Sequence, residues 1–322
     1  MVSHTPLTPA LGSGSRLAGQ SILSVQQFSL DDLQEILRVA REMRTAVDLV
    51  GSIDLLKGKV LANLFYEPST RTSSSFVAAM QRLGGSVVAI NEVKYSSVAK
   101  GETLEDTVRT LESYTDAVVL RHPEIGASRR AAEAARKPII NAGDGAGEHP
   151  TQAMLDLFTI REELGRLEGL TVALVGDLNY GRTVHSLSRL LARFGVTLRL
   201  VSPASLQMPA SVVDDLKASQ TKMTVHTALD EVIGEVDVLY MTRVQKERFS
   251  DPEAYAKVAG SYVITPETMA RLPEHAILMH PFPRVDEIDR ACDADPRAAY
   301  FRQIANGLYV RMALLAMVMG RA

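Results

Sequence analysis

The chain has 322 residues, 46% of them hydrophobic, which at ~150 residues per domain suits about two domains, each with a substantial core. Its 35 Lys and Arg against 38 Asp and Glu leave a net charge of −3, so no global field favours nucleic acid or an anionic membrane, and any anion must be held locally. One cysteine, Cys292, excludes an intrachain disulfide framework and a cysteine-built zinc site, and the longest apolar run, Met312 to Met319, falls short of the ~20 residues of a spanning helix; the cytoplasm is the expected setting.

Met1 to Gln20, rich in Ser, Gly, Pro and Leu, reads as a loose arm without a signal or transit pattern. Leu33, Ile36, Leu37, Ala40 and Met43 then share a helical face, Val60 to Tyr66 reads as a buried strand, and Phe76, Val77, Met80 and Leu83 return to helical spacing. A strand over Ser86 to Ile90, a helix over Thr103 to Leu111, a strand over Ala117 to Arg121, a short helix after Ala127 and a strand over Pro138 to Asn141 follow. A helix from Pro150 to about Leu164 leads to a second unit, with strands at Thr171 to Gly176, Val196 to Val201, Val236 to Met241 and Ala276 to Met279. The alternation predicts an α/β chain of two domains, each a mostly parallel sheet flanked by helices. Gly307 to Gly320 closes the chain as a Leu/Met-rich helix that must be buried.

Ligands of open parallel sheets sit beyond the carboxyl ends of the strands, and here those ends are polar. Glu67-Pro68-Ser69-Thr70-Arg71-Thr72 brings hydroxyls, a guanidinium and free helix N–H groups to one helix start, the composition a phosphate requires; a plain cap with a solvated arginine is the alternative. Arg121-His122-Pro123 reads by itself as surface charge before a turn. The glycine-rich loop Asn141 to His149 allows close backbone approach, and His149, just before Pro150, becomes a donor to a reacting carbonyl if it faces Arg71 and Arg121. Lys94 to Thr103 reads from composition as a solvated loop ending in a cap.

In the second half, Gly176-Asp177-Leu178-Asn179-Tyr180-Gly181-Arg182-Thr183 nearly spells the phosphate loop G-x-x-x-x-G-K-[ST] but lacks its lysine, which leaves nucleotide hydrolysis only as an alternative; G-x-G-x-x-G is absent. Arg182 and Arg243, each after a strand, suit two carboxylates or else neighbouring acidic residues. No H-E-x-x-H and no Cys/His cluster points to a metal.

Phe65 to Thr72, Lys100-Gly101-Glu102-Thr103, Arg121-His122-Pro123, His149-Pro150-Thr151-Gln152, Gly181-Arg182-Thr183-Val184-His185 and His280-Pro281-Phe282-Pro283-Arg284 resemble, in order, the motifs of the aspartate carbamoyltransferase catalytic chain. The resemblance runs from about residue 20 to the C-terminus. It implies a carbamoyl-phosphate domain over 1–150, an aspartate domain over 151–304, and a final helix over 305–322 that packs back on the first. It implies transfer of the carbamoyl group of carbamoyl phosphate to L-aspartate, without metal or organic cofactor, in pyrimidine synthesis. Ser69, Thr70, Arg71 and Thr72 would hold the phosphate, Arg121 and His149 would polarise the carbonyl, and Gln152 would orient the carbamoyl NH₂, with Pro281 and Phe282 also at the substrate. Arg182 would grip one aspartate carboxylate and Arg243 with Gln245 the other. Ser96 and Lys100 would enter from the neighbouring chain of a homotrimer, which reverses the solvated-loop reading. A regulatory or dihydroorotase-like partner chain is left open. Ornithine carbamoyltransferase shares the phosphate motif but usually has His-Cys-Leu-Pro where this chain has His280-Pro281-Phe282-Pro283, and a cationic substrate suits Arg243 poorly. A non-catalytic anion-binding module on the same fold is the remaining alternative.

Overall fold

A computed structural model describes residues 15–91, 97–249 and 251–322. The chain divides into two compact units: one ends at Thr151 and takes in Gly307–Ala322, the other is Gln152–Asn306. The boundaries read from sequence were 150/151 and 304/305.

The first unit opens with helix α1 (Leu30–Val50), whose Ser29 accepts from Asp32 N and receives the Asp32 carboxylate back on its own amide. The face of Leu33, Ile36, Leu37, Ala40 and Met43 is buried as its spacing requires. There follow β1 (Val60–Phe65), α2 (Thr70–Arg82), β2 (Ser86–Ile90), α3 (Leu104–Glu112), β3 (Ala117–His122), α4 (Ala127–Ala134) and β4 (Ile139–Asp144). On α2, Phe76, Met80 and the C-cap Leu83 are buried, but Ala79 and not Val77 completes the face. β4 runs on to Asp144, so Ala142, Gly143 and Asp144, expected in a loop, are strand residues. The sheet has the order β2-β1-β3-β4, all pairs parallel, over a core of Leu64, Val108, Val118, Leu120 and Ile139.

The end of the expected loose arm is tied down. Gly19 N donates to Val318 O (2.8 Å), Ile22 bridges to Ile140, and Leu17 is buried; residues 1–14 lie outside the described part.

Helix α5 (Pro150–Leu164) carries the chain into the second unit, which adds β5 (Thr171–Val175), α6 (Arg182–Ala192), β6 (Thr197–Val201), α7 (Ala210–Ala218), β7 (Met223–His226), β8 (Val238–Met241), α8 (Pro252–Ala256), α9 (Pro266–Arg271) and β9 (Ile277–Met279). Its parallel sheet has the order β7-β6-β5-β8-β9. β7 escaped the sequence reading because an edge strand, here largely exposed, has no apolar run to betray it. The last helix, α10 (Tyr300–Val318), begins before Gly307, and its later turns belong to the first unit, where the Arg311 guanidinium lies 5.2 Å from the Phe76 ring. Among the described residues no helix is long and apolar enough to cross a membrane.

Candidate functional site

In each sheet the strand order reverses once, between β1 and β3 in the first unit and between β5 and β8 in the second. Crossovers leave that point to opposite sides and open a crevice at the carboxyl ends. Both groups of polar residues collect there.

In the first unit Phe65 pairs with Arg121 across β1 and β3, so the two loops leave the sheet at one level. Ser69, in extended backbone, caps α2 by accepting from Thr72 N. The helix start is anchored from below: Asn63 Nδ2 donates to Ser73 Oγ (2.9 Å), and Ser73 Oγ donates to Asn91 Oδ1 (2.8 Å). No acidic side chain occupies the first turn, so the amide ends and the exposed Thr70 and Arg71 keep a positive field, while Thr72 is buried. Arg121 is not the surface charge that its own segment suggested. Its side chain is 14% exposed, with Nε 3.5 Å from Glu67 and Nη1 donating to Ala142 O (3.3 Å). The ring of neighbouring His122 lies tilted against that of Tyr66, centroids 4.5 Å apart, and burial holds its imidazole below the ordinary value.

His149 is buried immediately before α5, with Nδ1 3.5 Å from Thr151 Oγ1. Its loop is closed by Asp144, a residue without a role in the sequence reading. The Asp144 carboxylate accepts from Gly126 N (2.9 Å) and Glu148 N (2.7 Å), and its carbonyl from Gly147 N (2.8 Å). Glu148 in turn accepts from Ser24 Oγ (2.6 Å) and Val25 N (2.9 Å). Lys100 ends a short 3-10 turn (Ser97–Lys100) and is exposed, Thr103 caps α3, and Ser96 lies outside the described residues.

In the second unit Gly176 follows β5 at φ 113, and a Cβ there would stand 2.2 Å from the carbonyl oxygen of Thr242, the residue after β8. Asp177 follows, fully buried. Its Oδ1 accepts from Tyr180 N (2.9 Å) and Asn179 N (3.2 Å), and its Oδ2 from Gln245 N (3.3 Å). The Asn179 and Tyr180 amides are ones that a phosphate-cradling loop would turn to its ligand, so the near-match to a nucleotide loop folds onto its own carboxylate instead. Burial pushes the Asp177 carboxyl above its ordinary value, although the amides and Arg243 pull the other way. The same aspartate ties the loop carrying Arg182 to the loop carrying Arg243 and Gln245, whose Nε2 also donates to Tyr180 O (3.1 Å). Gly after a strand followed by Asp was a legible turn signal.

The loop after β9 is fixed by His280, buried with Nε2 2.7 Å from Glu287 Oε1. Its Nδ1 accepts from Phe282 N (2.8 Å), which assigns the ring proton to Nε2. Burial lowers the His280 value against the pull of Glu287. Phe282 sits at φ 54 before a cis proline, and Pro281 precedes it. Gln152, on the first turn of α5, donates through Nε2 to Asp156 Oδ1 (2.9 Å). Among the described residues no group of His, Cys, Asp and Glu could hold a metal ion.

Two parallel α/β units, each with cationic side chains on the loops at its switch point, define a two-domain α/β protein. The chain's residues 20–162 match the aspartate/ornithine carbamoyltransferase carbamoyl-P binding domain, and residues 168–318 match the Asp/Orn binding domain of the same family. It is 57% identical over 308 residues to the multifunctional protein pyr1-3 of Dictyostelium discoideum, covering 96% of this chain and 14% of that one. It is 49% identical to the aspartate carbamoyltransferase catalytic subunit of Thermococcus kodakarensis, covering 94% of this chain and 97% of that one. The crystal structure of aspartate transcarbamoylase from Trypanosoma cruzi in complex with carbamoyl phosphate and aspartate superposes with a TM-score of 0.92 at 48% identity, covering 96% of this chain and 99% of that one. The chain belongs to the aspartate/ornithine carbamoyltransferase family. It spans about one seventh of the multifunctional relative, at 14% of that length.

Proposed function

We propose that the chain is an aspartate carbamoyltransferase, transferring the carbamoyl group of carbamoyl phosphate to L-aspartate to give N-carbamoyl-L-aspartate and phosphate, as a step of pyrimidine synthesis in the cytoplasm. The observation that carries the substrate choice is the arginine pair of the second unit. Asp177 fastens together the loops bearing Arg182 and Arg243, and spends its carboxylate on the Asn179, Tyr180 and Gln245 amides. The two guanidinium side chains held on these loops suit a dicarboxylate by bidentate pairing and suit the side-chain ammonium of ornithine poorly. The T. cruzi neighbour, solved with both substrates, supports the same reading.

In this reading Ser69, Thr70, Arg71 and Thr72 bind the phosphate at the start of α2. Arg121 and His149 donate to the carbonyl oxygen and stabilise the oxyanion as the aspartate amine attacks the carbonyl carbon. Gln152, with the Pro281–Phe282 segment, receives the carbamoyl NH₂. Arg182 binds one carboxylate and Arg243 with Gln245 the other. The tetrahedral intermediate expels phosphate, which takes the amine proton, so positioning and electrostatics suffice without a metal or cofactor. Lys100 and Ser96 serve the site of a neighbouring chain in a homotrimer. A dihydroorotase-like or regulatory partner is left open, and the multifunctional relative, of which this chain spans 14%, supports a setting beside further domains.

The test is the purified chain with carbamoyl phosphate and either aspartate or ornithine, with product and solution mass measured together. Aspartate is carbamoylated, succinate competes with it, and ornithine is inert. Ornithine turnover comparable with that of aspartate rejects the reading.

A further inference from the structure

The second unit also holds a buried carboxylate to which the scheme above assigns no task. Asp156 lies one helical turn after Gln152 on the same face of α5 and is fully buried. Its Oδ1 accepts from Gln152 Nε2 (2.9 Å) and from Gln303 Nε2 (2.6 Å), and its Oδ2 from the Tyr240 hydroxyl (2.7 Å). Gln303 turns its other end, Oε1, to the backbone N–H of His280 (2.9 Å), the first residue of the His280-Pro281-Phe282 loop. One carboxylate therefore reaches two separate elements, α5 and the loop after β9.

The chemistry of amides gives this arrangement a consequence. A glutamine side chain turned by 180° exchanges a donor for an acceptor, and shape alone does not choose between the two. An ionised carboxylate only accepts, so it draws the NH₂ end of each glutamine to itself. Gln152 is then left presenting a carbonyl oxygen, and Gln303 is left with a carbonyl oxygen to hold the His280 amide.

The geometry points to Asp156 as a positioning residue for the carbamoyl donor: it fixes the polarity of Gln152 and, through Gln303, the start of the His280–Phe282 loop, so that this corner of the site accepts hydrogen bonds and selects an NH₂ over a methyl group. The inference rests on the proposed function, in which Gln152 and the Pro281–Phe282 segment receive the carbamoyl NH₂. Acetyl phosphate has the same shape and charge but presents CH₃ there, which leaves the oriented acceptors unpaired.

The readout is the ratio between the inhibition constant of acetyl phosphate, measured as a competitor, and the KM of carbamoyl phosphate, determined on the full chain. Asp156→Leu keeps the volume and removes the acceptor. The ratio falls about tenfold, the order of one neutral hydrogen bond, while inhibition by inorganic phosphate is unchanged. Asp156→Asn rescues, because its Oδ1 still takes both glutamines and its NH₂ meets the Tyr240 hydroxyl, which is able to accept; the ratio stays within about twofold of the parent. Gln303→Met removes only the arm to His280 and lowers the ratio about threefold, which keeps a test in hand if Asp156→Leu does not fold. An unchanged ratio in both Asp156→Leu and Gln303→Met, or an equal fall in Asp156→Asn and Asp156→Leu, overturns the inference. A parent chain that does not carbamoylate aspartate overturns instead the function beneath it, whatever the variants do.

Discussion

Gly176→Ala perturbs the point where the second sheet opens. At φ 113 the backbone lies outside the left-handed helical basin as well as the right-handed regions, and the new Cβ would meet Thr242 O at 2.2 Å and Thr242 Oγ1 at 2.8 Å. Thr242 has little room to retreat, since its N and its Oγ1 both bond Val175 O, at 2.8 and 3.0 Å. Relief therefore comes by separating the ends of β5 and β8. Gly169→Ala is the internal control, with φ 68 and nothing within 4 Å of the added carbon. The control pays the backbone term alone, ~1–2 kcal/mol. Gly176→Ala adds ~1–3 kcal/mol of overpacking, for a total of roughly 2–5 kcal/mol. Urea unfolding of both variants measures the difference. Because the separated strand ends carry Asp177, Arg182 and Arg243, the KM for aspartate rises in Gly176→Ala and stays near normal in Gly169→Ala, while the KM for carbamoyl phosphate moves less. Equal losses of stability in the two variants refute the contact argument. A destabilised Gly176→Ala with an unchanged aspartate KM refutes the link from strand ends to substrate.

Arg71→Ala removes a charge-assisted contact to the leaving phosphate, and kcat/KM falls by the equivalent of ~3–4 kcal/mol; near-normal turnover removes Arg71 from the site. Mixing subunits of Arg71→Ala and Lys100→Ala, each inactive alone, restores about one quarter of parental activity if the two residues of one site come from different chains of a ring; hybrids of confirmed mass that stay inactive place Lys100 elsewhere. Burial holds His122, His185 and His280 below the ordinary histidine value of 6.5. Above 6.5 both states are neutral; below it the unfolded chain takes protons that the folded chain refuses, so stability falls as pH drops from 6.5 toward the folded values. Urea midpoints at about pH 7.5 and about pH 5.5 show this loss, and equal midpoints contradict it.

Alternating apolar strands and helical faces determined the α/β class locally, since β1, β3, β4, β5 and β8 are central or well covered and their runs are continuous. The phosphate motif was legible too, because Ser69 to Thr72 act through one helix start, a feature contained in neighbouring residues. β7 was not legible, being an exposed edge whose stability comes from pairing with β6. The full reach of β4 was hidden because Ala142, Gly143 and Asp144 carry no strand signal of their own, and Asp144 is a strand residue by virtue of its pairing with His122 of β3.

The same limit governs the site. Arg182, Arg243 and His149 were found from their places after strands, whereas Arg121, by itself a surface charge before a turn, was found only through the resemblance. The aspartates that hold such segments in place, Asp144, Asp156 and Asp177, were not found: Asp177 carries a turn signal, but nothing in sequence says what any of the three holds. Only folding surrounds Asp156 with Gln152, Tyr240 and Gln303, and Asp177 with the amides of two loops. A strand or a capped helix is decided by neighbours a few residues away. A buried carboxylate's donors come from up to 147 residues along the chain, so the tertiary structure alone determines what it holds.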